Sequence, residues 1–153
     1  MIVFGLVDFG LALQEVQFVS DAARYGARSA SSESFFNASE GEAPKLCLDG
    51  NDYSCENAPF NIEPNDSINA VAIKSACNHL SNSRVQKEFW EVEAEVNGPI
   101  NEGIGAIQSS LVMVTLSVKR KDSKSCFFCL DGIFDGSLEG IKTSFPLEKD
   151  CVF

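Results

Sequence analysis

The sequence has few basic side chains and almost no histidine. It carries 12 lysine and arginine residues against 22 aspartate and glutamate residues, a net charge of −10 at pH 7. Such a surface lacks the cations that neutralise phosphates, so nucleic acid is excluded as a partner. With one histidine, His79, the sequence offers no HExxH motif and no recognisable hydrolytic triad. It also lacks a glycine-rich phosphate loop, so we expect neither an enzyme nor a small-molecule substrate.

A long hydrophobic run is missing as well. The residues from Met1 to Leu13 are too few to span a bilayer, which takes roughly 20 residues. Their composition is nevertheless unusual, because all of them are apolar or glycine except Asp8. A soluble domain rarely exposes such a segment, so it needs a bilayer or other copies of the chain to cover it.

The first 33 residues contain no proline and no turn signal, and they predict one continuous helix. Val3, Val7 and Leu11 repeat every four residues, and the helix becomes amphipathic after Gln14. Glycine inside a helix costs about 1 kcal/mol relative to alanine, and close helix approach is the usual reason to keep it. The predicted helix contains three such glycines: Gly5, Gly10 and Gly26.

The rest of the chain predicts a short second helix and a sheet. Residues 31–65 are rich in turn-forming residues and indicate a long loop. A helix is expected from Ser67 to Leu80, capped by Asp66 or Ser67. Three later segments alternate or are rich in valine and threonine, and they predict antiparallel strands. These are Trp90–Val96, Leu111–Val118 and Leu138–Leu147.

The predicted fold class is therefore α+β. It consists of a long N-terminal hydrophobic helix, a short second helix and an antiparallel sheet of about three strands. We expect two parts: residues 1–33 form a stalk helix for a filament core or a membrane, and residues 34–153 form a globular head.

Cysteine is abundant, with six residues in the chain. An even number in a loop-rich chain predicts disulfides formed in an oxidising compartment. About 15 pairings are possible for six cysteines. Sequence separation favours three pairs: Cys47–Cys55, Cys126–Cys129 and Cys77–Cys151. The second pair has the CxxC spacing of thiol oxidoreductases, but it follows a turn instead of opening a helix, which favours a structural disulfide.

The segment from Phe4 to Ala30 reads FGLVDFGLALQEVQFVSDAARYGARSA. It resembles the TadE/TadG-like pilins of the tight-adherence system, a branch of the type IV pilins. The family's "VEFG" step corresponds to Val7–Gly10, and its "AAREGAR" corresponds to Ala22–Arg28. The resemblance implies a pilin-like fold and a structural subunit of an extracellular, cell-surface filament. Such a subunit is membrane-inserted in the inner membrane before assembly, polymerises with its own copies, needs no cofactor and serves surface adhesion.

Charged residues in this helix are the candidates for contacts between subunits. An isolated carboxylate in an apolar segment needs a partner, which in a filament core is the N-terminal amine or an arginine of a neighbouring subunit. The alternative is that the carboxylate faces water. Arg24 and Arg28 share a helix face and either contact acidic groups or another chain, or form a solvated strip. The predicted assembly residues are Phe4, Val7, Asp8, Phe9, Leu11, Arg24 and Arg28.

Two alternative functions stay open. One is a minor pilin at the filament tip, and the other is a membrane-tethered extracellular binding module that does not polymerise. No metal site is expected, because zinc needs four converging ligands and the acidic turns do not match the EF-hand pattern. Two triplets match the glycosylation sequon, at Asn37 and Asn65.

Overall fold

The computed structural model describes residues 2–32, 46–49, 51, 53–83, 90–97, 113–120 and 141–147. Two helices are present, α1 (Ile2–Ser31) and α2 (Ile68–Asn82). A single 3₁₀ turn, Cys55–Asn57, precedes α2. Three strands follow: β1 (Trp90–Asn97), β2 (Met113–Arg120) and β3 (Ile141–Pro146). The predicted α+β class is confirmed for these residues.

Helix α1 runs without interruption for 30 residues, which is about 45 Å. Its second half is buried along one stripe of small side chains. The fully buried members are Val19, Ala22, Ala23, Ala27 and Ala30. This spacing of three and four residues is that of one helix face. Small side chains let the neighbouring elements come close to the α1 backbone.

Gly26 lies at a close approach between α1 and α2. A Cβ atom at this position would lie 2.6 Å from the carbonyl oxygen of Ala72 and 2.8 Å from the Cβ atom of Ala76. The expected close approach is therefore confirmed at Gly26. At Gly10, by contrast, a Cβ atom would meet nothing within 4 Å.

Helix α2 begins with the predicted serine cap. The Ser67 hydroxyl accepts a hydrogen bond from the Ala70 N–H at 3.3 Å. Asp66, the other candidate cap, instead binds Lys74 Nζ at 2.8 Å with both side chains largely buried. The helix continues two residues past the predicted end at Leu80, as far as Asn82.

The strands form an antiparallel sheet in the order β1-β2-β3. Alternate residues of β1, among them Trp90 and Val92, are buried, while the glutamates between them are exposed. Helix α1 packs mainly on β2 and β3, and α2 packs mainly on β1. The two helices therefore cover one face of the sheet, and the core lies between these two layers.

A disulfide joins the 3₁₀ turn to α2. It links Cys55 to Cys77, whose Cα atoms are 5.0 Å apart. The predicted pairs Cys47–Cys55 and Cys77–Cys151 are therefore wrong. Cys47 is also disulfide-bonded, to a partner outside the described residues. Cys126, Cys129 and Cys151 lie outside the described residues.

Tertiary packing explains why Cys55 pairs with Cys77 and not with Cys47, which is closer in sequence. The segment after the 3₁₀ turn is held against α2 by Asn78, one residue after Cys77. The Phe60 N–H donates to Asn78 Oδ1 at 2.6 Å, and Asn78 Nδ2 donates to the Phe60 carbonyl at 2.8 Å. This double hydrogen bond places Cys55 beside α2, 22 residues away in sequence from its partner.

Candidate functional site

The first half of α1 exposes large apolar side chains. Leu6 is 66% exposed and Leu11 is 59% exposed. Among the described side chains of α1, Glu15 is the first that is half-buried and Val19 is the first that is fully buried. We call the exposed set the apolar segment: Leu6, Val7, Phe9, Leu11 and Leu13. The second half of α1 thus lies in the core, whereas the described side chains of its first half up to Gln14 are exposed.

The apolar segment faces away from the side of α1 that packs in the core. At 100° per residue its members cover an arc of about 200° with Gly10 near the centre. The buried stripe of the second half, centred near Gly26, lies on roughly the opposite side of the helix. The apolar segment is therefore not a continuation of the packed face, and it remains exposed in the single chain.

Polar side chains continue the exposed face after Leu13. Gln14, Gln17, Asp21, Arg24 and Arg28 are all exposed. Within the described residues neither arginine forms an ion pair. Both arginine side chains are therefore exposed to solvent in the single chain.

The boundary between the two halves of α1 is marked by a contact that sequence reasoning missed. Trp90 Nε1, at the start of β1, donates to Glu15 Oε1 at 3.2 Å across 75 residues. Further along α1, the exposed Tyr25 ring stacks on His79 of α2 with centroids 5.1 Å apart. In the sequence, the only local signal for the hydrogen bond between Trp90 and Glu15 is that Glu15 lies where the apolar pattern of the helix becomes amphipathic.

The structure brings only some of the predicted assembly residues together. Val7, Phe9 and Leu11 lie exposed on the apolar segment. Arg24 and Arg28 lie about 25 Å further along the helix axis than this group. The side chains of Phe4 and Asp8 lie outside the described part of the chain. Among the sequon residues, Asn65 is exposed in the turn before α2, and Asn37 lies outside the described residues.

An acidic turn near α2 is occupied by the protein's own donors. Asp49 accepts from the Asn51 N–H at 3.0 Å and from the Tyr53 hydroxyl at 2.6 Å. Burial opposes the charge of Asp49, but these hydrogen bonds outweigh it and hold the pKa of this carboxyl below its usual value. Burial, followed by the bond to Asp49, raises the pKa of Tyr53.

Two further kinds of site do not occur among the described residues. No three histidine, cysteine, aspartate or glutamate side chains converge there in a way that could hold a metal ion. Neither helix described combines the length and the apolar content that crossing a bilayer requires.

Comparison with known proteins adds no relative. No protein-family model, curated protein or solved structure matches the chain.

Proposed function

We propose that this chain is a structural subunit of an extracellular, type IV-like pilus filament that polymerises through the first half of α1. The observation that carries the proposal is the apolar segment, whose five large side chains are exposed and are not covered by their own chain. Fully burying one such side chain contributes roughly 1.5–3 kcal/mol, so the exposed fractions leave roughly 4–8 kcal/mol for other copies to gain.

The sequence resemblance supports the same proposal. The step from Val7 to Gly10 lies in the first half of α1, which carries the apolar segment, and the packed half contains the small-residue stretch from Ala22 to Arg28. Both correspond to marks of the TadE/TadG-like pilins. The Cys55–Cys77 disulfide suits an oxidising compartment outside the cytosol. Insertion into the inner membrane before assembly, and adhesion to surfaces afterwards, are parts of this proposal.

A filament needs contacts that do not close into a ring. Head-to-tail contacts between unlike surfaces give an open helical polymer. In the proposed filament the projecting halves of α1 bury one another, and the acidic head coats the outside. The Asp8 carboxylate is then paired with the N-terminal amine or an arginine of a neighbouring subunit.

The test compares a double substitution of exposed leucines in the apolar segment with a single substitution of an exposed leucine on the head. Replacing Leu6 and Leu11 together by glutamine should abolish filaments in negative-stain electron microscopy and leave a monomer in sedimentation velocity. Its thermal unfolding should stay close to that of the wild type, because neither side chain contacts the core. The control is Leu46→Gln, since Leu46 is 55% exposed on the head, and it should assemble normally.

If the double variant still formed filaments like those of the wild type, the proposed role of the apolar segment would be refuted. A wild-type chain that stays monomeric but binds lipid vesicles would instead favour a membrane-tethered binding module. Purified filaments that contain only traces of this chain would favour a minor pilin.

A further inference from the structure

Strand β1 forms one edge of the described sheet. It pairs with β2 alone. Within the described residues its backbone makes no hydrogen bond outside that pairing. Every second residue of an antiparallel strand directs its N–H and C=O away from the partner strand. Half of the eight residues of β1 therefore present both groups at this edge.

A cavity of about 510 Å³ lies along this edge. Consecutive residues of β1, from Trp90 to Ala94, line it, so its wall includes residues that belong to both faces of the sheet. Both faces are accessible together only at an edge, and β2 covers the other long side of β1. The other lining residues come from α2 and from the segment before it, and include Leu48, Asn51, Tyr53, Ser54, Asn69 and Ile73.

The exposed side of β1 carries a regular row of negative charge. Glu91, Glu93 and Glu95 alternate on the outer face, about 7 Å apart along the strand. Lys119 Nζ binds Glu93 at 2.5 Å. Within the described residues Glu91 and Glu95 form no ion pair. Side chains of an added strand repeat at the same spacing, so basic residues at alternate positions match this row.

We propose that the edge of β1 binds an extended peptide segment that adds a fourth strand to the sheet. Its lysine or arginine side chains, at alternate positions, face the glutamates, and small side chains between them face the cavity. Main-chain hydrogen bonds supply the affinity in this mode of recognition, and alternate side chains supply the specificity. About five residues, or roughly 17 Å, of the segment lie along Trp90–Ala94.

The glutamate row also has a protective effect that fits this proposal. Charged side chains on an edge strand deter pairing with other sheets. The deterrence applies to neutral and acidic strands, whereas a basic strand is attracted. The proposal does not depend on filament formation, because the edge belongs to the head and the apolar segment belongs to the projecting half of α1.

Trp90 provides a direct measurement. It is the only tryptophan of the chain, and it lines the cavity. Titration with an eight-residue peptide in which lysine alternates with threonine should change its fluorescence saturably. A peptide of the same composition with its lysines in one block should bind at least tenfold more weakly. The alternating peptide methylated on every second backbone nitrogen should lose binding to the same extent, because it cannot complete the ladder.

Two charge reversals provide the matched variants. Glu91→Lys should weaken binding of the alternating peptide about three- to tenfold at low ionic strength. Glu63→Lys changes the net charge equally at an exposed position outside the cavity lining, and it should bind like the wild type.

Four outcomes would overturn the proposal. The first is the absence of a saturable change. The second is equal binding of the blocked or methylated peptide, and the third is an equal loss in Glu63→Lys. The fourth is a Trp90 signal that follows protein concentration without peptide in the variant carrying both Leu6→Gln and Leu11→Gln, because it would place a second copy of the chain at this edge.

Discussion

Replacing Gly26 by alanine should destabilise the protein, although alanine is the better helix former. The added methyl group would lie 2.6 Å from the Ala72 carbonyl oxygen, 2.8 Å from the Ala76 Cβ atom and 2.8 Å from Leu116 Cδ2. Only the last of these atoms can move by a side-chain rotation. The first two are fixed to the α2 backbone, so α1 and α2 must separate to admit the methyl group.

The expected magnitude follows from two opposing terms. Overpacking a well-packed core typically costs about 1–3 kcal/mol, and a clash with backbone belongs in the upper part of that range. Alanine returns about 1 kcal/mol through its helix propensity. A net loss of about 1–2 kcal/mol remains, which for a chain of this size lowers the melting temperature by roughly 2–8 °C.

The measurement is thermal and urea unfolding followed by circular dichroism on dispersed protein. Gly10→Ala is the matched control, because it makes the same change in the same helix at a position with nothing within 4 Å. The control should leave the melting temperature unchanged or raise it slightly. If Gly26→Ala also raised the melting temperature, the reasoning would be refuted, because the close approach of α1 and α2 would then not require glycine at this position.

Two further predictions concern the segment before α2. Replacing Cys55 and Cys77 together by serine should lower the free energy of unfolding by about 3 kcal/mol, because the disulfide joins residues that are 22 positions apart and so closes a loop of that size. Urea unfolding measures this, and a loss below about 1 kcal/mol would contradict the loop-closure reasoning. The second prediction concerns pH. Folding lowers the pKa of Asp49, so its contribution to stability is complete above the ordinary value of about 3.9 and is lost as the pH falls through the folded value. Tyr53→Phe removes a hydrogen bond to this carboxylate and should raise its titration midpoint in a carboxyl NMR titration. An unchanged midpoint would show that Tyr53 does not stabilise the charge.

Periodic patterns predicted the secondary structure well. The alternation in β1 and the absence of a break in the first 33 residues predicted a strand and a helix whose ends differ from those in the structure by only one or two positions. Ser67 could be predicted as a cap because its hydroxyl acts within its own helix turn. These features depend on neighbours in sequence, and such neighbours are visible in a single chain.

Contacts between distant residues could not be predicted in the same way. Gly10 and Gly26 give the same local signal, but only Gly26 meets α2. The Cys55–Cys77 pairing and the bond from Trp90 to Glu15 depend on how the segments pack. The exposure of the apolar segment could be anticipated from its composition, whereas its orientation away from the packed face required the direction of the buried stripe.

The continuity of α1 has a mechanical consequence. Because no break separates its two halves, the projecting half behaves as a lever of about 20 Å whose direction is set by the packed half. Gly26 lies about 36 Å from the tip along the axis, so a tilt of about 10° at Gly26 would move the tip by about 6 Å. A pull on the tip, in turn, loads the α1–α2 contact along the helix axis, so the packing around Gly26 bears shear when the protein is under tension.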